Sequence, residues 1–385
     1  MRVLHVVECD DGGVLSLLRT YCDSQSRAGY EVHVLAPHDR LSDVEWRPWH
    51  IDRRRPTSFA RAGRELKAAV RACRPDVVHL HSFFAGLVGR TVLSARNAGP
   101  AVVYQPHSWA YDGAKSGGAR LAVDRIERFL DHRSDQLMVN CRDELQEGRQ
   151  HGIVTPGSAV GIPIDTDVFC PVGPAARSTL RSTLGRREHM VLCVGRVVRQ
   201  KGQDRLVSAW RQNPFPDSEL VLVGGGKVEA LRELASNEWG RSIRWVGHQD
   251  DIRPWLRAAD VLVVPSRYEG QSVLVSEALA CGLPVVACSV NGAYDAVVRA
   301  PQPPAGAVVG RNDMDELLAE CRRRVLDDTL RQREARAARQ RATELFGTAK
   351  VSSGVERVYW AALSRKAASG RRSRGIADLH QGVRT

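Results

Sequence analysis

The sequence predicts an α/β protein of two doubly wound, Rossmann-like domains, and three observations carry that expectation. The length of 385 residues exceeds one ordinary core. Short apolar runs alternate with helical stretches along the chain, the pattern of parallel sheets covered by helices. The rhythm also restarts in the middle, after a Pro/Gly-bearing passage, which sets a boundary near residue 172.

The opening run MRVLHVV reads as a strand, ECDDGG as a loop, and the next stretch as a helix with Val14, Leu17, Leu18 and Tyr21 at helical spacing. Gly29 closes that helix and EVHVLA follows as a second strand, giving a βαβ unit. Strands are then expected at PDVVHLH, AVVYQPH, DQLMVNC and SAVGIPI. The second half runs VLCVGR, ELVLVGGG, IRWVG, DVLVVPS and PVVAC, with helices around RLVSAW, VEALRELAS, IRPWLRAA and SVLVSEALACG. The expected division is 1–172, 173–347, a last helix over 348–366 and a basic mobile tail over 367–385. Open parallel sheets bind ligands beyond the carboxyl ends of their strands, so two such domains in series predict a cleft with ligand-binding loops facing it.

Composition narrows the function. No apolar run approaches the roughly 20 residues of a membrane-spanning helix, and the N-terminus lacks a secretory leader pattern, so a cytoplasmic protein is expected. Nine cysteines without paired metal spacing read as small core residues in a reducing compartment. The net charge of +12 suits nucleic acid, an anionic membrane or phosphorylated substrates. No nucleic-acid-binding module accompanies it, which leaves the membrane surface and the phosphorylated substrate.

Four groups of residues could carry chemistry. In VLCVGRVVRQKG a strand ends at Gly195, and Arg196, Arg199 and Lys201 precede the next helix. Such cations, with helix N–H groups, suit a diphosphate, or else form a solvated loop. In PSRYEGQSVLVSEALACGLPVV, Glu269 stands at a strand-to-helix turn, and Glu277 has apolar neighbours on its helix face. A carboxylate there needs partners, either sugar or ribose hydroxyls or a protein donor. Gly12 and Gly13 permit a close backbone approach or serve turn geometry alone. His79, His81 and His107 lie at strand ends, where local hydrogen bonding competes with a functional role. The GGGK run at 224–227 lacks the spacing of a phosphate loop and reads as a strand-end turn.

GRxxxxKG, then ADVLVVPS, then E-x7-E before ACGLPVV together resemble the family 4 retaining glycosyltransferases of GT-B fold, also called group 1. The resemblance covers nearly the whole chain. It implies a metal-independent hexosyltransferase that moves a sugar from a nucleotide-sugar donor, with no cofactor, to an acceptor in polysaccharide, glycolipid or metabolite biosynthesis. It makes Arg196 and Lys201 the diphosphate pair, Glu269 the sugar contact and Glu277 the ribose contact. Gly270, Gln271 and Ser272 become the loop against the donor sugar, His107 a sugar contact from the first domain, and Gly247 and His248 neighbours of the nucleobase. The last helix is expected to return to the first domain near Tyr359 and Trp360. Ser108, Gln271, Ser272 and Asp295 depart from the commoner family residues. An epimerase or phosphorylase of the same fold is the alternative, and docking to an anionic membrane suits a lipid-linked acceptor.

Overall fold

The computed structural model describes the 385-residue chain apart from residues 10–12, 40, 42–43, 94–98, 115, 186 and 382–385, with side chains as far as Ala368. Two compact units form, one from Met1–Pro163 with Ala349–Thr385, the other from Ile164–Thr348.

The first unit is built on strands β1 (Arg2–Val7), β2 (Glu31–Ala36), β3 (Glu45–Pro48), β4 (Val77–His81), β5 (Ala101–Gln105), β6 (Gln136–Val139) and β7 (Gly157–Ala159). They form one parallel sheet in the order β3-β2-β1-β4-β5-β6-β7. The order reverses between β1 and β4, which opens a crevice at their carboxyl ends. The core gathers Leu4, Val6, Val78, Leu80, Val102 and Tyr104 from the strands against Leu66, Ala85 and Val88 from helices.

The second unit carries β8 (His189–Val194), β9 (Ser218–Val223), β10 (Ile243–Gly247), β11 (Val261–Val264), β12 (Val285–Cys288) and β13 (Gly306–Val309). Their order is β10-β9-β8-β11-β12-β13, again all parallel, with the reversal between β8 and β11. Trp210 fills the core beside Leu206, Leu220 and Val263, its indole N–H donating to Ser242 Oγ at 3.1 Å. Both sheets match the doubly wound reading.

Three features depart from the expected element map. β3 and β13 were not among the expected strands: β3 is a four-residue edge strand ending in proline, and β13 follows the proline-rich APQPPAG. The run SAVGIPI yields strand geometry only over Gly157–Ala159, although Val160 and Gly161 still donate to Val139 and Asn140. The last helix covers Thr348–Gln381, so its backbone continues through the stretch expected as a tail.

The crossover into the second unit falls before residue 172 for a visible reason. Arg339 donates to the Thr166 and Phe169 carbonyls, and Arg257 to those of Val168 and Cys170, which ties this passage to the second unit. Tyr359 is fully buried in the first unit, whereas Trp360, expected beside it, is 55% exposed. None of the nine cysteines forms a disulfide among the described residues, and Cys22, Cys73, Cys141, Cys193, Cys281, Cys288 and Cys321 are buried. Among the described residues, no helix is long and apolar enough to cross a membrane.

Candidate active site

The strand ends of the second unit assemble most of the expected site residues. After β8 the backbone turns at Gly195, whose φ of 150° excludes most side chains, and passes through a 3₁₀ turn at Arg199–Lys201 to Gly202. A Cβ on Gly202 would lie 2.1 Å from the Pro265 carbonyl oxygen, so only glycine lets the following helix, Gln203–Gln212, start against the loop after β11. That contact delivers Lys201 to Glu269: Nζ and Oε1 are 2.6 Å apart. Ser266 Oγ donates to the same oxygen at 2.8 Å, and among the described residues Oε2 has no protein donor. Glu269 is buried and Lys201 half-buried, while Arg196 and Arg199 are exposed.

Residues that sequence reasoning passed over hold these loops. Gln203 donates to the carbonyls of Gly195 and Arg196, and Arg205 to those of Pro265 and Ser266. Arg267 forms a two-pronged pair with Asp204, both contacts 2.7 Å. The polar run QDR directly after Lys201-Gly202 was the available signal, since a helix start so rich in long side chains offers donors to neighbouring loops.

The next loop leads into the helix Val273–Ala280, preceded by Gly270 and Gln271, both buried, and Ser272. The first N–H groups of this helix have no intrahelical acceptor and point toward its N-terminus. A Cβ on Gly292 would meet Gln271 Cα at 2.9 Å, so the NGAYD turn packs directly on the loop. Asp295 of that turn pairs with Arg299. Buried Arg341 caps the carbonyls of Asp295, Ala296, Arg299, Gln302 and Pro303 and fixes the segment.

Glu277 is half-buried on the same helix and, among the described residues, its carboxylate makes no hydrogen bond or ion pair. Burial alone pushes its carboxyl up to about 7. Gly247 ends β10 with φ of 75°, and its carbonyl accepts from Gly224 at 2.7 Å. His248 follows it, largely exposed, 3.4 Å from Asp250.

The remaining expected residues belong to the first unit. Gly12 lies outside the described residues, and Gly13 is exposed at the start of the helix Gly13–Arg27. His107 and Ser108, beyond β5, hold φ values of 59° and 115°, costly for residues with a Cβ. Buried Glu144 enforces that shape by accepting from Ser108 N at 2.7 Å and from Asn140 N at 2.8 Å. Desolvation pushes its carboxyl up to about 7. Glu8 acts similarly on the helix Ser82–Val92, accepting from Phe84 and Ala85, and is also raised to about 7 by burial. Neither carboxylate was among the expected residues.

His79 and His81 join His5 in a buried cluster that reaches His107: His81 Nδ1 and His107 Nε2 are 2.9 Å apart. Burial holds the His107 ring down to about 3 and His5 to about 4, so both are neutral at pH 7. Tyr359 and Gln25 complete the cluster.

Residues 11–168 match the model described as Glycosyltransferase Family 4, and residues 188–328 that described as Glycosyl transferases group 1. The D-inositol 3-phosphate glycosyltransferase of Xylanimonas cellulosilytica is 31% identical over 323 residues, which is 76% of this chain and 73% of that protein. The chain belongs to the family 4 glycosyltransferases. The transferase is also 29% identical to the glycogen synthase of Mycobacterium tuberculosis over 79% of its own length and 74% of that enzyme's. Among solved structures, the sucrose-phosphate synthase of Thermosynechococcus elongatus superposes with a TM-score of 0.81 at 22% identity, covering 94% of this chain and 99% of that one. Anabaena HepE in complex with UDP-glucose gives 0.76 at 19% identity, covering 93% and 98%. At such identities the structural likeness establishes the GT-B fold alone.

The transferase carries a pH signature in Glu277. Its folded carboxyl titrates near 7 against an ordinary 4.5. The native state is therefore unpenalised below the unfolded value and loses stability as pH rises through about 7. In ligand-free protein, Glu277→Gln should melt with the unaltered chain near pH 4.5 and roughly 6–10 °C above it at pH 8, for about 3 kcal/mol recovered. Melting curves across that range test this, and a difference independent of pH would refute it.

Proposed function

We propose that the transferase moves a sugar from a nucleoside-diphosphate sugar to an acceptor hydroxyl with retention at the anomeric carbon, using the strand-end loops of the second unit to hold the donor. The observation that carries this reading is Glu277: a half-buried carboxylate without a protein partner among the described residues, on the helix whose N-terminus follows Gly270, Gln271 and Ser272. Two ribose hydroxyls supply the donors that an ionised carboxylate requires. The helix N–H groups, Arg196 and Lys201 suit the diphosphate. Glu269 keeps Oε2 for a sugar hydroxyl while Oε1 holds Lys201 in place. HepE, with the same fold, is described with UDP-glucose, which supports a nucleotide-sugar donor.

In the reaction, the bond between the anomeric carbon and the diphosphate oxygen breaks, and negative charge builds on the phosphate beside Arg196 and Lys201. The acceptor hydroxyl attacks from the same face and yields its proton to the leaving phosphate. Fixed cations take the place of a divalent ion in this scheme, and Glu269 forms no covalent bond. A binding screen with UDP, GDP, ADP, dTDP and their common sugar conjugates identifies the base. A ligand at about 100 times its Kd adds roughly 2.7 kcal/mol, a shift of several degrees. That shift should disappear in Glu277→Ala, and a well-folded protein stabilised by none of these nucleotides would refute the donor site.

Removing one preorganised charge of this kind typically costs about 10²–10³ in rate. Lys201→Ala should accordingly lower kcat by that factor, and added Mg²⁺ or Mn²⁺ should leave the unaltered enzyme's rate unchanged. Full activity in the variant, or an inverted product by NMR, would overturn the mechanism. Product analysis also separates transfer from epimerisation or phosphorolysis.

We further infer an acceptor presented at an anionic membrane. On the helix Gly117–Asp131, Leu121 and Phe129 are 48% and 64% exposed, and Arg125 and Arg128 are exposed along the same side. Apolar anchors among cations form the arrangement of a surface-docking helix. Sedimentation with phosphatidylglycerol vesicles should exceed that with phosphatidylcholine and weaken with salt, and Phe129→Ser should reduce it. Binding indifferent to lipid charge and salt would exclude the docking role.

A further inference from the structure

Chemistry is also concentrated within the first unit, on its sheet beside the loop that carries His107. In the register of β1 and β4, His5 stands opposite His79, and His81 follows two residues later, so alternation places all three rings on one face of the sheet. All three are completely buried, with ring centroids 5.3 Å (His5–His79), 5.2 Å (His5–His81) and 4.0 Å (His79–His81) apart. One ring nitrogen from each lies within 4.8 Å of the other two.

Each ring turns its other nitrogen outward to a polar partner. His5 Nε2 meets Gln25 Oε1, His79 Nδ1 meets the Tyr359 hydroxyl and His81 Nδ1 meets His107 Nε2, each at 2.9 Å. A neutral imidazole that donates outward presents a bare lone pair inward. Three lone pairs then converge, with His5 Nδ1 and His81 Nε2 only 2.9 Å apart. A proton shared by that pair, from an inverted ring, would still leave His79 Nε2, which has no hydrogen-bond partner among the described residues. The Gln105 side chain sits near enough to bias the His79 ring toward its charged form. Its Oε1 is nonetheless buried without a hydrogen bond.

An outward N–H held by an acceptor is the support that metal-ligating imidazoles require. We propose that His5, His79 and His81 form a site for one first-row transition-metal ion, with the Gln105 amide oxygen available as a fourth ligand. Imidazole donors without a carboxylate favour Zn²⁺ and its neighbours over Mg²⁺ or Ca²⁺. Burial keeps all three rings neutral, so protons do not compete for the lone pairs at neutral pH. The ligand nitrogens need to close to about 2.0–2.1 Å from the ion, a movement of roughly half an ångström per ring. A groove of about 100 Å³ between the helices Gly13–Arg27 and Thr348–Gln381, lined by Tyr21, Gln25, Tyr30, Glu356 and Tyr359, reaches the Gln25 and Tyr359 side of the cluster. Binding would fix His81 Nδ1 as a donor to His107 Nε2 and so leave the His107 proton on Nδ1. This site rests on the first unit's geometry and not on the donor reading.

The experiment is a titration of the full chain, stripped of metal, with Zn²⁺ and then Co²⁺. The expected result is one Zn²⁺ retained per chain through gel filtration, a raised melting temperature and visible Co²⁺ bands of four-coordinate intensity. His79→Gln, which removes a ligand itself, should weaken binding by at least the roughly 100-fold that loss of an outer partner costs, whereas a control at the half-buried His151 should not. Failure to retain one ion, octahedral Co²⁺ spectra or undiminished binding in His79→Gln would overturn the proposal. Should His79→Gln not fold, ¹⁵N spectra of the unaltered chain decide: one equivalent of Zn²⁺ should shift three of the 12 histidines by direct ligation, and a pattern without those three refutes the site.

Discussion

The contact on which the second unit's site depends is between backbones. β8 and β9 run in parallel register to Val194 and Val223, and both chains then turn at glycine. A Cβ on Gly224 would lie 2.1 Å from the Gly195 carbonyl oxygen, and one on Gly226 would lie 2.8 Å from Val197 Cβ. The Gly247 carbonyl closes the group by accepting from Gly224. Three strand-end loops are thus pressed together without intervening side chains, which starts the Arg196–Lys201 segment at a defined point. Any larger residue at Gly224 would force the loops apart, and one at Gly195 would strain a backbone held at φ 150° beside the Lys201 side chain. The GGGK run therefore matters as geometry, and its lysine lends it no phosphate-loop character.

Buried carboxylates complement the glycines. Asp260 lies just before β11, at the opposite end of the sheet from the site, where it accepts from Met190 N and pairs with Arg177. That contact sets the start of β8 against β11. In the first unit, Glu144 and Glu8 shape the carboxyl-end loops, where the charge-assisted bonds offset the strain at His107 and Ser108. Parallel sheets leave backbone groups unsatisfied where strands stop. A carboxylate with two acceptor oxygens can bind two such N–H groups at once, as Glu144 does.

Much of this was legible because it is local. Alternation of short apolar runs with helices indicated the doubly wound sheets, and the strand-end positions of Arg196, Lys201 and Glu269 followed from where the runs stop. What stayed hidden depends on partners distant in sequence. The Lys201–Glu269 pair spans 68 residues, and nothing near either residue distinguishes it from two exposed charges. Glu144 looked like one more acidic residue in RDELQEGRQ. β3 reads EWRP and β13 reads GAVV after a proline-rich run, so neither shows the continuous apolar run that marks the equally short β11 and β12. Tyr359 and Trp360 are adjacent aromatics in one helix, and only the direction of the helix face decided which of them entered the core. The histidine cluster left a faint trace, the HLH of β4, but its third member lies on β1 and needed the strand pairing to appear.

The two units solve the same physical problem in opposite ways. Both hold polar side chains where parallel strands end, and both must do so without leaving buried charge uncompensated. At its strand ends the first unit suppresses charge: His5, His79, His81 and His107 are held neutral by burial, and the cluster is linked to Gln25 and Tyr359. The second keeps its charges and balances them with neighbours, Lys201 with Glu269 and Asp204 with Arg267, so Glu277 stands out, among the described residues, as a half-buried carboxylate without a counterpart. A group in that position is stable as the neutral acid, yet its ionised form binds hydroxyl donors more strongly. Ligand donors would therefore draw the titration downward from about 7 and release a proton near neutral pH. The desolvation that destabilises the ligand-free carboxylate is thus the same property that makes it selective for a partner bearing adjacent hydroxyls.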